Sequence, residues 1–456
     1  MRRPLVGRRR GRRHVRVGAL ADNVDPDRLT VMGPIGNLSL FGMSEGFPSL
    51  APASSDPSPS SSRIRDLEGP QSIALHAAAL DLGPKFRPDI RYARLLVKEF
   101  RPGTGAVGRN EARAYLGLLG GDPDHVFFRL LRTPMSRETE PPLATLVGAF
   151  SGRAVTSSSG PLVQGDSSFL CFRWEGLATL ADVTDAVAQR PDPMVEDGLD
   201  VDYGSGERRQ REVDADLRRM TKGVLSLLNP FERVPEGSNE VARSNVERRR
   251  SYLAAVMRRS LEALGWVHSR GYVHQTLGAG ALLVTHMPDD RYEGPARDVR
   301  VKLQNLGFCC RADDAEQVRQ QTREDAENSG YGGEGLGDWA RREDLFQLGG
   351  AFVDLLFPAL PARRVDLRKL CVTVFAGDAM ALRDYVAAEP GTEASVEFLD
   401  GVPADENLRH RGWWMLTDML MRAGEMGGAA DLALDPFFDA YPPLADTRPG
   451  GAYGLL

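Results

Sequence analysis

The period of the hydrophobic pattern changes partway along the chain, and that change limits what the chain can fold into. Up to about Gly176, apolar residues come in short runs of strand length. Arg94-Leu95-Leu96-Val97-Lys98-Glu99-Phe100 and Ser168-Phe169-Leu170-Cys171-Phe172 predict two strands. Between them, Asn110 to Leu119 has helical spacing, with Ala114, Leu118 and Leu119 on one face. In the second half the period becomes helical. Tyr252, Leu253, Val256, Met257, Leu261 and Leu264 recur at three- and four-residue steps, which predicts an amphipathic helix running to about His268. Leu345, Leu348, Phe352, Leu355 and Leu356 make a second helix that is apolar around most of its circumference, as a buried helix is. Strands segregated before helices place the chain in the α+β class, joined near Arg173-Trp174-Glu175-Gly176.

Composition sets the boundaries. Pro48 to Ser62 is rich in proline and serine and cannot build a core, so the folded chain is expected from about Arg63. Residues 1–62 then form a disordered leader. Its first 20 residues hold eight arginines and no acid, as organelle transit peptides do, and a chloroplast address is expected, with cytoplasm or mitochondrion as alternatives. A small strand-rich unit follows over 63–176, then a larger helical unit over 177–445 and a tail over 446–456. The larger unit carries a charged insertion at about 190–250, including Glu196-Asp197-Gly198-Leu199-Asp200-Val201-Asp202 and a short helix around Thr221 to Leu228. A net charge of −6 argues against a general nucleic-acid binder. No run reaches the roughly 20 apolar residues of a membrane span, so no transmembrane segment is expected. The four cysteines form no CxxC pair, which fits a reducing compartment and excludes a disulfide framework.

Six motifs in order resemble the protein kinase family, over roughly Pro70 to Tyr441. Leu96-Val97-Lys98-Glu99 resembles the strand whose lysine holds nucleotide phosphates, and Glu111 its acidic partner on the next helix. Phe172 to Gly176 resembles the hinge. Leu264 to His274 resembles the end of a long helix entering the catalytic loop, and Val301 to Phe308 the metal-binding turn. Arg342 to Gly349 resembles the buried central helix, opening on Asp344, and Ala429 to Phe438 the helix that closes the domain. The resemblance implies a two-lobed kinase-like fold, with a small strand-rich N-lobe and a larger helical C-lobe.

It also implies a chemistry that the residues do not supply. Phosphoryl transfer on this fold needs a catalytic-loop aspartate and asparagine and a second, metal-binding aspartate. Thr276, Ala281 and Asn305 stand at those positions. A hydroxyl is no general base near neutral pH, a methyl binds no metal, and an amide oxygen is a weaker ligand for a hard cation than a carboxylate. Asn305 is the one remaining metal candidate, a weak one. The stretch before the lysine strand, Leu82 to Asp89, has one glycine and two prolines where a phosphate cover is expected, while Gly33-Pro34-Ile35-Gly36 lies far upstream. Lysine is rare here, five of 57 cationic residues, which favours a retained Lys98–Glu111 ion pair. The pair either binds nucleotide or only orients the helix; a solvated strand position is the alternative for Lys98. The glutamate that the family places near the end of the activation segment is matched only by Gly332-Gly333-Glu334, and its arginine partner by Met426, with Arg422 nearby.

The bland expectations are structural. His274, Gly307 and Asp344 are expected to support the loop, Trp413 and Trp414 to be core, and Cys309-Cys310 to be small buried hydrophobes. The favoured function is a pseudokinase acting as a scaffold or allosteric regulator of an unknown protein partner. The alternative is a divergent ATP-binding Ser/Thr protein kinase with weak phosphotransferase activity, drawing an acid from Asp313, Glu334 or Asp338. A third expectation is ATP bound without Mg²⁺ as a structural ligand.

Overall fold

The structure, a computed structural model, describes residues 24, 28–39, 72–82, 84, 92–120, 140–151, 156–157, 160–161, 167–174, 179–181, 239–284, 299–314, 335–358, 360, 365–401, 409–421 and 424–441. The fold is α+β. Its N-terminal part is an antiparallel sheet of β1 (Leu29–Ser39), β2 (Ser72–Asp81), β3 (Tyr92–Phe100), β4 (Leu146–Ser151) and β5 (Ser168–Arg173). The spatial order is β4-β5-β3-β2-β1, continued by two short strands at Thr156–Ser157 and Gly160–Pro161. A helix, α1 (Gly105–Leu118), follows β3 and packs on one face.

Alternation along β3 explains why this sheet is buried on both faces. Leu95 and Val97 join Val31, Ala78, Phe169 and Cys171 on one side. Phe100 joins Ile73, Leu75, Leu170 and Phe172 on the other, beneath α1. Successive side chains of a strand point to opposite faces. Neighbouring Lys98 and Glu99 are thus carried into two different interiors, and both are buried.

The remainder is mostly helical. The long helix α2 (Asn239–Ser269) leads to a paired turn of β6 (Leu282–Val284) and β7 (Val301–Leu303), and then to the buried α3 (Leu336–Leu356). Around α3 lie α4 (Leu367–Thr373), α5 (Ala379–Ala387), α6 (Glu393–Asp400) and α7 (Arg411–Met421). Asp378 caps α5 by accepting from Met380 and Ala381 N–H, and Asp366 caps α4 from Lys369 N–H, as short polar residues do at helix starts. One continuous apolar cluster runs from the α1 face of the sheet through Tyr252, Val256, Leu303 and Phe352 to Trp413 and Phe437.

Four expectations need correction. Ordered chain does not begin near Arg63: β1 pairs with β2 from Leu29–Leu80 to Ser39–Ser72. Its glycines and Pro34 break the alternation that marks a strand, and register shifts at Val31/Gly33 and Pro34/Gly36 absorb them. Gly33 and Gly36, remote in sequence, therefore stand one strand away from β3. Second, the helix expected from Tyr252 starts at Asn239, inside the segment assigned to an insertion; its first turns lack an apolar stripe, so periodicity missed them. Third, α3 starts at Leu336, not at Asp344. Its N-cap is Gly335, which offers no side-chain cap to mark the start. Fourth, Trp413 is fully buried but Trp414 is 52% exposed, because adjacent residues on a helix face about 100° apart.

The acidic run at 196–202, the helix expected around Thr221, the Gly176 boundary, the 446–456 tail, Glu334 and Arg422 lie outside the described residues. Among the described residues, no helix is long and apolar enough to cross a membrane.

Candidate functional site

The sequence-predicted residues converge where α1, β3 and the two loops flanking β6 and β7 meet. Lys98 is 1% exposed, which rules out the solvated alternative. Its Nζ donates to Glu111 Oε1 at 2.6 Å and to Asn305 Oδ1 at 2.7 Å. The ammonium also lies 4.7 Å from the centre of the Phe172 ring, a cation–π distance. An ammonium has three N–H donors, and here two oxygens and an aromatic face surround it. Glu111 Oε2 is enclosed without a donor.

Asn305 sits in the left-handed region at φ 63°, which asparagine tolerates better than most residues. Its Nδ2 donates to the Gly280 carbonyl at 3.3 Å, and Gln304 Nε2 donates to the same oxygen at 2.9 Å. Ala281 is buried in the core and presents only a methyl. The residues present do not fit a Mg²⁺ site. The amide oxygen of Asn305 faces a fixed ammonium, which repels a second cation, and the neighbouring carboxylate, Glu111, is bound to that same ammonium. Among the described residues no cluster of three His, Cys, Asp or Glu could hold a metal.

The loop from His274 to Ala281 is held from below. Asp344, fully buried in α3, accepts from His274 N–H at 2.7 Å, from Gln275 N–H at 2.6 Å and from His268 Nε2 at 2.9 Å. That grip stabilises Gln275 at φ 67°, an unusual backbone for its side chain. Gln347 Oε1, one turn along α3, accepts from Leu277 N–H at 2.6 Å. His274 is completely buried, and burial outweighs the nearby Asp344 charge and lowers its pKa, keeping the ring neutral. Nε2–H then donates to the Gln304 carbonyl at 3.0 Å, which leaves Nδ1 facing Thr276 N–H at 3.4 Å. Thr276 Oγ1 is enclosed without a partner, so no base addresses it.

Gly307 is required by close approach: a Cβ there would stand 2.4 Å from Val107 Cγ1. Asn110, next to Glu111 on α1, donates to the carbonyls of Gly307 and Cys309 at 2.9 and 3.0 Å. At its C-terminal end α1 is met by Arg270, whose Nε donates to the Leu118 carbonyl at 3.2 Å. Gln304 and Gln347 lie inside motif segments and Asn110 beside Glu111, but sequence reasoning gave none of the three a role, and their position was the one signal available.

The remaining candidates do not reach the site. Asp313 pairs with Arg311 and Asp338 with Arg341, both at the surface. Asp435 is held by Arg411 at 3.0 Å, while Met426 packs against the core.

No family model matches the chain, and no curated protein matches it. Among solved structures, the crystal structure of a BubR1 kinase domain aligns over 62% of this chain at 11% identity and a TM-score of 0.31. The chain spans 58% of that domain's length.

Proposed function

We propose that the chain is a degenerate, two-lobed protein-kinase-like protein that works by presenting surfaces to a protein partner, as a scaffold or allosteric regulator, with little or no phosphoryl transfer. One observation carries this: the buried Lys98 ammonium is already satisfied by Glu111, Asn305 and the Phe172 ring. A phosphate would have to displace the protein's own oxygen to reach it. The ordered motifs, and a helix that follows the lysine strand and supplies Glu111, support the kinase-like part. Thr276 and Ala281 support the loss of transfer, since loss of a positioned base alone costs about 10²–10⁴-fold in rate.

The rival reading, nucleotide binding with weak transfer, is favoured by the Lys98–Glu111 pair itself. Thermal unfolding of the wild type and of Lys98→Ala with ATP, with and without Mg²⁺, separates the two, alongside γ-phosphate transfer to a general acceptor. The proposal expects no ATP-dependent shift and no transfer. A magnesium-dependent shift with turnover, lost in Lys98→Ala, would sink it. A metal-independent shift without turnover would instead assign ATP as a structural ligand.

A further inference from the structure

The sheet and the helical part meet along residues 140–145, which run directly into β4 yet pair their backbone with β7. Leu303 N–H donates to the Pro142 carbonyl at 2.9 Å, and Ala144 N–H donates to the Leu303 carbonyl at 2.7 Å. On the sheet side, Arg173 N–H at the end of β5 donates to the Thr145 carbonyl at 2.8 Å. Glu140 opens this segment, with its side chain only 12% exposed. Its Oε1 accepts from Lys302 Nζ of β7 at 2.9 Å and from Arg173 Nη2 at 2.6 Å, while Oε2 accepts from Arg300 Nη1 at 3.3 Å. Lys302 is buried and also donates to Thr145 Oγ1 at 3.3 Å. Burial raises the Glu140 carboxyl, but the Lys302 hydrogen bond and the charges of Lys302 and Arg173 outweigh it. The group is held below its ordinary 4.5 and is ionised at neutral pH.

The sharing of one oxygen decides what this carboxylate does. Lys302 comes from the helical part and Arg173 from the sheet, and both reach Oε1. Two cations that close are drawn together by the carboxylate between them and repel each other once it is neutral. A buried ammonium has no water to screen that repulsion, so the sign of the contact across the junction follows the charge on Glu140. This holds whatever else Arg173 and Arg300 touch. We propose that Glu140 is a positioning residue, a charge clasp that closes the junction between the sheet and the helical part and so brings Asn305 to Lys98. Lys302 lies on the strand that ends just before Asn305, so fixing β7 against residues 140–145 sets where Asn305 stands relative to the sheet. The two backbone bonds through Leu303 survive in every charge variant and form a constant background. The inference concerns the junction alone and stands or falls independently of the kinase-like reading.

The test uses the full chain, spin-labelled at Met32→Cys on β1 and at Leu434→Cys in the helical part, both exposed positions. The four native cysteines are buried, which leaves the two introduced thiols as the sites of labelling. Double electron–electron resonance then reads the distance distribution between the two parts. The proposal expects one narrow distribution with Glu140 intact, a broader one in Glu140→Gln, and a narrow one again in Glu140→Gln/Lys302→Met, where the repelling cation is gone as well. A glutamate that served only packing would not be rescued in this way. Acylation of Lys98 by acetic anhydride, read by mass spectrometry on the unlabelled chain, tracks the open population. It should be at least about tenfold faster in Glu140→Gln than in wild type and slow again in the double variant. If circular dichroism shows that Glu140→Gln does not fold, the double variant must fold and give the narrow distribution. The proposal is overturned if Glu140→Gln keeps the wild-type distribution, if its Lys98 stays as unreactive as in wild type, or if the double variant is as broad as Glu140→Gln or fails to fold.

Discussion

Lys98 and Asn305, 207 positions apart in sequence, are joined by a 2.7 Å hydrogen bond in the interior of the molecule. The bond ties the sheet to the turn after β7, and Asn110 ties α1 to the same turn through two carbonyls. The geometry of the site is therefore held by the protein's own groups.

Removing the Lys98 side chain should be strongly destabilising. Breaking a buried pair from one side leaves the other charge uncompensated, at a cost of about 3–5 kcal/mol. Lys98→Met should show that loss in urea unfolding, and Lys98→Met/Glu111→Gln should recover a large part of it. Additive losses would show that the two residues are not coupled.

The contact between Gly307 and Val107 predicts a compensating pair. Gly307→Ala places a methyl 2.4 Å from Val107 Cγ1, an overpacking expected to cost about 1–3 kcal/mol. Val107→Ala opens that space, so the double variant should be more stable than Gly307→Ala alone. Melting temperatures of the three variants decide it.

Glu99 predicts a pH dependence. Burial pushes its carboxyl up, but hydrogen bonds from His76 at 3.0 Å and Ser167 at 3.1 Å, with the charges of His76 and Arg101, outweigh burial and leave it below its ordinary 4.5. A carboxyl lowered in the folded state contributes stability above its unfolded pKa and loses it as pH falls through the folded one. Stability should therefore decline below about pH 4.5 more steeply in the wild type than in Glu99→Gln, measured by urea unfolding from pH 7 to pH 3. Parallel curves would remove Glu99 from the account.

All four cysteines are free and buried. Burial raises Cys309 well above its ordinary range, Cys171 and Cys310 to about 12, and Cys371 to about 11. Since the thiolate is the reactive form, native protein at pH 7.5 should resist iodoacetamide, and all four should be alkylated once it is unfolded. Rapid native labelling at Cys309 or Cys310 would restore a redox role beside the site.

The strands at Tyr92–Phe100 and Ser168–Arg173 and the helix carrying Glu111 were legible because burial on a regular element imposes a short-range period. So were the groups that two loop positions carry, because Thr276 has only a hydroxyl and Ala281 only a methyl in any conformation. The start of α3 and the strand β1 were not legible. Gly335 gives no capping signal, and β1 becomes a strand through pairing with β2, across a connection that a local window cannot see. Trp414 followed the same rule in reverse, since its exposure depends on what packs around α7. The sequence by itself determined which groups stand at three positions of the site: a lysine at 98, a glutamate at 111 and an asparagine at 305. Only the tertiary structure decided that Glu111 and Asn305 meet on the Lys98 ammonium, because hydrogen bonds and burial are set by distances between segments that sequence spacing does not encode.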